Sequence, residues 1–125
     1  MHKTLPLLLS LLATGLSSLT PTITLAGAAD GDANRGAAAW TVEYPQADGT
    51  PARSCVTCHT ADLTRPGKQI NTGKPIGPLA PSVDRKRLTD PAKVEKWLTR
   101  NCRWTLGREC TASETADFIA YIRTQ

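Results

Sequence analysis

The sequence predicts a small all-helical domain. Three segments combine a helical spacing of apolar residues with residues typical of helix ends, and no segment shows the alternation expected of a β-strand. Long stretches rich in proline and glycine separate these segments. The length of 125 residues suits one ordinary domain and excludes two large ones.

Residues 1–28 have the pattern of a secretory signal peptide. The basic residue Lys3 precedes a leucine-rich run from Leu5 to Leu19, and Ala26-Gly27-Ala28 offers the small residues that a signal peptidase reads. The run is too short and too interrupted to span a bilayer. We therefore expect cleavage after Ala28, a mature domain of residues 29–125 and a periplasmic location.

The composition limits the function of the mature domain. The formal charge of the chain is only +4, and the charged residues are scattered, which does not favour a nucleic-acid-binding surface. Aromatic residues make up 5% of the chain. A domain this small with so few large side chains usually needs disulfides, a metal or a large cofactor for stability.

The first predicted helix follows the acidic residue Asp32 and extends to Trp40. Gly36 lowers the helix propensity of this segment, so we expect another backbone to approach closely there. The residues on one face of this helix are Ala33, Gly36, Ala37 and Trp40. Irregular chain follows: Glu43 to Ser54 is predicted to be a loop.

A second long loop is predicted from Ala61 to Asp84, where prolines and glycines recur. A loop of this length is uncommon in so small a domain unless it wraps around something. The interleaved Ile70, Ile76 and Leu79 favour a packed loop over a flexible linker.

Two further helices are predicted after this loop. Thr89-Asp90-Pro91 marks the start of the first, which should end near Gly107. Thr111-Ala112-Ser113-Glu114 is a capping box and begins the second. The expected apolar faces are Val94, Trp97, Leu98 and Asn101 on the first, and Thr115, Phe118, Ile119 and Ile122 on the second.

The segment Cys55-Val56-Thr57-Cys58-His59 has the pattern of a c-type haem attachment signature. One helical turn brings residues three apart to the same side, so both thiols can reach the two vinyl groups of one porphyrin. The adjacent His59 then serves as the proximal axial ligand of the iron. The sequence thus predicts one covalently bound haem c, held by Cys55 and Cys58.

Other uses of this motif fit the sequence less well. A thioredoxin-like redox pair requires a βαβ context, which the pattern lacks. A zinc ribbon requires a second closely spaced pair, whereas Cys102 and Cys110 are far apart. A disulfide between Cys55 and Cys58 would leave His59 unexplained.

Cys102 and Cys110 lie at the end of one predicted helix and just before the next. An oxidising compartment and an even number of cysteines favour a disulfide between them. The alternative is that one of them binds iron as a thiolate.

The distal ligand of the iron is the open question. The only methionine is Met1 and the only histidines are His2 and His59, so the mature domain has no Met and no second His. The candidates are lysines, Tyr44, Tyr121, the new N-terminus and Asn side chains. Asn101 lies about 20° from Val94 on the helical wheel, within the apolar face. A buried amide there needs a partner. Capping of the helix end, or a hydrogen bond to a neighbouring carbonyl, fits the pattern equally well.

The chain resembles the class I cytochromes c and, more specifically, the SHP family (sphaeroides haem protein) of oxygen-binding cytochromes c. The motifs that carry the resemblance extend over most of residues 30–125. They are Thr72-Gly73-Lys74, Pro78-Leu79-Ala80-Pro81, the segment from Thr89 to Trp97, Arg100-Asn101-Cys102 and Arg108-Glu109-Cys110-Thr111. The resemblance implies a small helical fold around one haem, with a long haem-wrapping loop. Gly36 and Trp40 are expected to meet Phe118 and Tyr121.

The resemblance also implies a function. It makes Asn101 the distal iron ligand and Cys102–Cys110 the adjacent disulfide. Because an amide oxygen suits Fe(III) better than Fe(II), Asn101 should leave on reduction and open a site for O₂ or NO. The implied electron donors are a dihaem cytochrome c and a membrane cytochrome b. The alternatives are a small haem enzyme that reduces O₂, peroxide or an NO-derived species, and a plain electron shuttle.

Overall fold

The computed structural model describes residues 30–125, and the predicted signal peptide lies outside them. The described part contains four helices and two short strands. The helices are α1 (Ala33–Thr41), α2 (Val56–His59), α3 (Pro91–Leu106) and α4 (Ala112–Arg123), and the strands are β1 (Gly67–Lys68) and β2 (Pro75–Ile76). The helical fold class is confirmed. The two antiparallel strands, with Gly67 opposite Ile76, are too short to produce an alternating pattern in the sequence.

Helix α1 packs directly against α4. Asp32 caps its N-terminus by accepting hydrogen bonds from the backbone N–H groups of Asn34 and Arg35. A Cβ on Gly36 would lie 2.1 Å from the backbone oxygen of Asp117 and 2.7 Å from Cβ of Tyr121. The expected close approach at Gly36 is therefore confirmed, and the second backbone belongs to α4.

The hydrophobic core is small and lies between α1, α4 and the long loop. Trp40 is its centre: its ring centroid is 6.1 Å from that of Phe118, edge to face, and 5.6 Å from that of Tyr121. The buried members of the core are Trp40, Leu63, Ala80, Phe118 and Ile122. This agrees with the expected contact between the first and last helices.

A buried carboxylate, which the sequence did not indicate, also joins α1 to α4. Asp117 accepts hydrogen bonds from the backbone N–H of Asp32 at 2.6 Å and from Nε and Nη2 of Arg35 at 2.8 and 2.9 Å. The hydrogen bonds from Arg35 lower the pKa of Asp117. The buried side of α4 therefore contains an ion pair at Asp117, next to Phe118 of the predicted apolar face.

The ends of α3 and α4 agree with the capping signals. The Asp90 side chain caps α3, and α3 ends at Gly107, which has a φ of 73°. At α4, Thr111 and Glu114 form the predicted capping box. The buried face of α3 differs from the predicted apolar face, because the buried residues of this helix are Cys102 and Thr105. Trp97 and Asn101 are exposed, and Val94 and Leu98 are half-buried.

The long loop between α2 and α3 is packed against the core. The backbone oxygen of Leu63 accepts hydrogen bonds from the N–H groups of Leu79 and Ala80, both at 3.0 Å. Leu63 is fully buried. The prediction was wrong for Ile70, which is 56% exposed because it lies in the turn between β1 and β2. Within residues 30–125, no helix has both the length and the apolar character needed to cross a membrane.

Candidate functional site

The Cys55–His59 segment forms a single helical turn. The backbone N–H groups of Cys58 and His59 both donate to the carbonyl oxygen of Cys55, at 3.3 and 3.0 Å. The Thr57 hydroxyl accepts a hydrogen bond from the backbone N–H of Ser54 at 3.0 Å. The turn ends at Thr60, whose φ of 68° is left-handed. This geometry places the two cysteines one turn apart, as the motif requires.

The thiols of Cys55 and Cys58 are both free and half-buried. Burial, with a smaller contribution from the neighbouring Cys58, raises the pKa of Cys55 to about 12. A redox-active cysteine pair instead needs a thiolate of lowered pKa. The environment of Cys55 therefore does not fit a thioredoxin-like site, whereas a neutral buried thiol is compatible with a thioether bond to a porphyrin.

His59 is half-buried beside the core. Its ring centroid lies 5.8 Å from that of Trp40, and the indole N–H of Trp40 donates to the Thr60 carbonyl at 3.2 Å. Burial, and secondarily the positive charge of Arg87, lower the pKa of His59. The imidazole is therefore neutral at pH 7, and neutral imidazole is the form that binds a metal ion.

The long loop holds the opposite side of this turn. A Cβ on Gly67 would lie 2.0 Å from the backbone oxygen of Cys58 and 3.0 Å from Cα of His59. Only glycine allows β1 to pass so close to the motif. The sequence singled out this loop but gave no sign that Gly67 is the residue in contact.

Cys102 and Cys110 form a disulfide, with their Cα atoms 5.5 Å apart. The bridge joins the penultimate turn of α3 to the start of α4. An ion pair between Arg103 and Glu109 lies beside it. Because these two cysteines are bonded to each other, neither is available to complete a zinc site with Cys55 and Cys58 or to bind iron as a thiolate.

Asn101 lies next to this disulfide on α3. Its side chain is exposed, and within the part of the chain that the structure describes it forms no side-chain hydrogen bond that would cap the helix. The end of α3 is instead completed by Gly107 and by side chains from another segment. The capping role that the sequence left open for Asn101 is therefore not seen.

The two tyrosines that were candidate ligands are less suitable. Tyr121 packs against Trp40 in the contact between α1 and α4. Burial raises the pKa of Tyr44, which disfavours the phenolate form that binds iron.

Side chains before the cysteine motif hold the last turn of α3. Arg53 Nη1 donates to the carbonyl oxygen of Trp104 at 3.0 Å, and Gln46 Nε2 donates to that of Thr105 at 3.1 Å. The guanidinium of Arg53 also lies 4.4 Å from the centroid of the Trp104 ring. Sequence reasoning missed these contacts, because Arg53 and Gln46 lie in a segment with no periodic pattern.

The residues of this site fit a covalently bound haem by the chemistry of their donor groups. Two free, half-buried thiols stand one turn apart, and a neutral imidazole directly follows the second. Such a set can supply two thioether bonds and one axial ligand. The described residues contain no group of three or more His, Cys, Asp or Glu side chains arranged to hold a metal ion directly.

Comparisons with known proteins agree with this geometry. Residues 26–122 match the family model described as a domain of unknown function, DUF1924. The chain is 50% identical over 101 residues to cytochrome c-type protein SHP from Cereibacter sphaeroides, covering 80% of this chain and 76% of that protein. It is also 50% identical over 72 residues to cytochrome c'' from Methylophilus methylotrophus, where the match spans 58% of this chain and half of that protein.

Solved structures of the same two proteins resemble this fold. Oxidized SHP, described as an oxygen-binding cytochrome c, superposes with a TM-score of 0.69 at 49% identity over 76% of this chain and 83% of that chain. The solution structure of cytochrome c'', a study of haem-ligand detachment in that protein, gives a TM-score of 0.66 at 40% identity over 76% of each chain.

Proposed function

The chain belongs to the SHP-type cytochromes c, and from this premise we propose that it accepts electrons and binds small diatomic ligands such as O₂ and NO. Its cofactor is one covalently bound haem c. The binding position is the one that Asn101 occupies in the ferric protein and leaves on reduction. The observation that carries the proposal is the place of Asn101 beside the Cys102–Cys110 disulfide, together with the lack of a Met and of a second His in residues 29–125.

The helical turn at Cys55–His59 holds the cofactor. Cys55 and Cys58 would form the two thioether bonds to haem, and His59 would supply an imidazole ligand to the iron. When bound, haem would supply an iron that cycles between Fe(III) and Fe(II) and can take one ligand besides His59. Gly67 and Trp40 keep this turn in place, because β1 presses on Cys58 and the indole N–H is bonded to Thr60.

Asn101 controls access to that further position. Its side-chain amide oxygen is a hard, neutral and weak donor, which favours Fe(III) over Fe(II). Asn101 would therefore hold the oxidised cofactor and would leave it once a donor protein supplies one electron. Its side chain is exposed, and among residues 30–125 it forms no side-chain hydrogen bond to the helix end that would oppose its movement.

The location and partners follow from the same premise. We propose that residues 1–28 are removed on export and that residues 29–125 function in the periplasm, where a disulfide such as Cys102–Cys110 is stable. The electron donors would be a dihaem cytochrome c and, behind it, a membrane cytochrome b. The cytochrome c'' study of haem-ligand detachment supports ligand release as a mode of action in a relative.

The test is spectroscopy of the purified wild-type holoprotein in both oxidation states. We expect the ferric form to be six-coordinate and the ferrous form five-coordinate and high-spin. CO and NO should bind the ferrous form without a slow displacement step. A ferrous form that stays six-coordinate and low-spin without added ligand would show that another residue holds the iron.

A further inference from the structure

We propose that Arg53 and Gln46 are positioning residues for Asn101. They hold the last turn of α3 against the segment that leads into Cys55, and so set where Asn101 stands relative to the cofactor. This inference rests on the proposed role of Asn101 as the ferric ligand.

Arg53 makes the stronger of the two contacts. Its Nη1 donates to the Trp104 carbonyl at 3.0 Å, and its guanidinium stacks on the Trp104 ring with 4.4 Å to the centroid. The last carbonyl groups of a helix lack partners within the helix, and a positive charge is favourable at that end. Arg53 supplies both a donor and a charge to Trp104, which lies three residues after Asn101 in the chain.

Gln46 fixes the neighbouring carbonyl group. Its Nε2 donates to Thr105 at 3.1 Å and also to the carbonyl oxygen of Tyr44 at 2.7 Å. Thr105 is buried. The adjacent carbonyl groups of Trp104 and Thr105 thus both accept hydrogen bonds from side chains of the loop before Cys55.

The loop that carries these two side chains is itself fixed. Tyr44 and Arg53 exchange both backbone hydrogen bonds, at 2.8 and 3.0 Å, as an isolated antiparallel bridge. Arg53 lies two residues before Cys55. An unbroken path of covalent and hydrogen bonds therefore leads from the thioether residue Cys55, through Arg53, to the turn of α3 that follows Asn101.

A weak ligand needs this support. The disulfide at Cys102 holds the same end of α3 from the side of α4, while residues Lys93, Lys96 and Trp97 in its first half are exposed. A neutral amide oxygen binds too weakly to pull a misplaced helix into position, so its occupancy depends on how well the protein places it beforehand. The contacts of Arg53 and Gln46 provide that placement from the segment that leads into Cys55.

The experiment compares five variants of the holoprotein with the wild type. The readouts are the six-coordinate fraction of the ferric form and the rate at which added imidazole binds to it. Arg53→Met removes the donor and the charge and should increase the imidazole rate about five- to tenfold, the effect of losing about one hydrogen bond. Arg53→Lys, which keeps the charge, should restore part of the wild-type behaviour.

The matched control is Arg35→Met. Arg35 forms its ion pair with Asp117 between α1 and α4, and has no contact with α3 among its hydrogen bonds. This variant should lower the melting temperature without changing either readout. If Arg53→Met does the same, Arg53 has only a structural role and the inference is overturned.

Gln46→Leu tests the same positioning role independently, in case Arg53→Met does not fold. Gln46→Leu removes one donor to Thr105 and should give a smaller increase in the imidazole rate. If Asn101→Ala leaves the ferric spectrum unchanged, the proposed function fails and this inference falls with it. If Asn101→Ala changes the spectrum while Arg53→Met and Gln46→Leu do not, only the positioning role is refuted.

Discussion

A Cβ atom on Gly67 would stand 2.0 Å from the carbonyl oxygen of Cys58. The first strand of the long loop therefore lies directly against the turn that carries both cysteines of the motif. Neither backbone can retreat easily, because Cys58 belongs to a hydrogen-bonded turn and Gly67 to the antiparallel ladder. The loop and the haem-attachment turn thus form one packed unit.

Gly67→Ala should strongly destabilise the holoprotein. The added methyl group overlaps the Cys58 carbonyl, and we expect a loss of more than about 3 kcal/mol in the free energy of unfolding. Chemical denaturation of the holoprotein measures it. Gly49→Ala is the control: Gly49 has a φ of 74° but nothing within 4 Å of its Cβ position. Gly49→Ala should lower the free energy of unfolding by only about 1 kcal/mol, because of backbone strain. Equal losses in the two variants would contradict the close contact at Gly67.

Haem should be attached covalently at Cys55 and Cys58. Mass spectrometry of the exported protein should give the mass of residues 29–125 plus one haem, and the haem should survive acid–acetone extraction. Replacing both cysteines by Ala should make the haem extractable, while replacing Cys102 and Cys110 should not. Extractable haem in the wild type would refute the assignment.

Asn101→Ala should remove the distal ligand from the ferric iron and raise its high-spin fraction. Asn101→Met should lock the reduced form as six-coordinate and low-spin, because a thioether suits Fe(II), and CO binding should then slow by at least about tenfold. Absorption spectroscopy and stopped-flow CO binding measure these effects. The exposed Asn34 on α1 provides the control Asn34→Ala, which should behave as the wild type; any other residue acting as ligand would leave Asn101→Ala unchanged.

Removing the disulfide should destabilise the fold but leave haem in place. Cys102 and Cys110 are separated by 8 positions, and closure of so short a loop contributes roughly 2.5 kcal/mol to stability on the chain-entropy model. The double Ser variant should therefore unfold at lower denaturant concentration. Because the end of α3 then loses one of the links that hold it, the ferric six-coordinate fraction should also fall. Two free thiols in the native wild type would contradict the bridge.

Stability should fall in acid through Glu114. Hydrogen bonds from Arg108 lower the pKa of Glu114 from its ordinary value of 4.5 to about 2. Because the pKa of Glu114 is lower in the folded protein than in the unfolded chain, its contribution to the free energy of unfolding is complete above about pH 4.5. This contribution is lost as the pH falls toward 2. After allowance for solvent screening we expect about 1 kcal/mol. Chemical denaturation of the wild type and of Glu114→Gln at pH 6 and pH 3 measures this contribution. The difference in the free energy of unfolding between the two proteins should be smaller at pH 3 than at pH 6. An equal difference at both pH values would contradict the ion pair.

Most of the helical framework could be read from the sequence. The capping groups at Asp90 and Thr111 and the stop at Gly107 are local signals, so they fixed the ends of α3 and α4 without knowledge of the rest of the fold. Gly36 signalled a close backbone contact but not its partner. The two-residue strands left no pattern, and Ile70 was placed inside although it lies in an exposed turn.

For the candidate site too, some features follow from the sequence and others only from the tertiary structure. The sequence by itself determined the haem-attachment motif and the lack of a second histidine and of any methionine in residues 29–125, because these are matters of residue type and short spacing. The residue pattern left several candidate distal ligands, and only the resemblance to the SHP family singled out Asn101. Only the tertiary structure decided that Gly67 presses on Cys58, that Asp117 is buried against Arg35, and that Arg53 and Gln46 hold the end of α3. Each of these contacts joins residues far apart in the chain. Such contacts depend on how distant backbone segments pack against each other, and the local conformational preferences of the residues do not specify that packing.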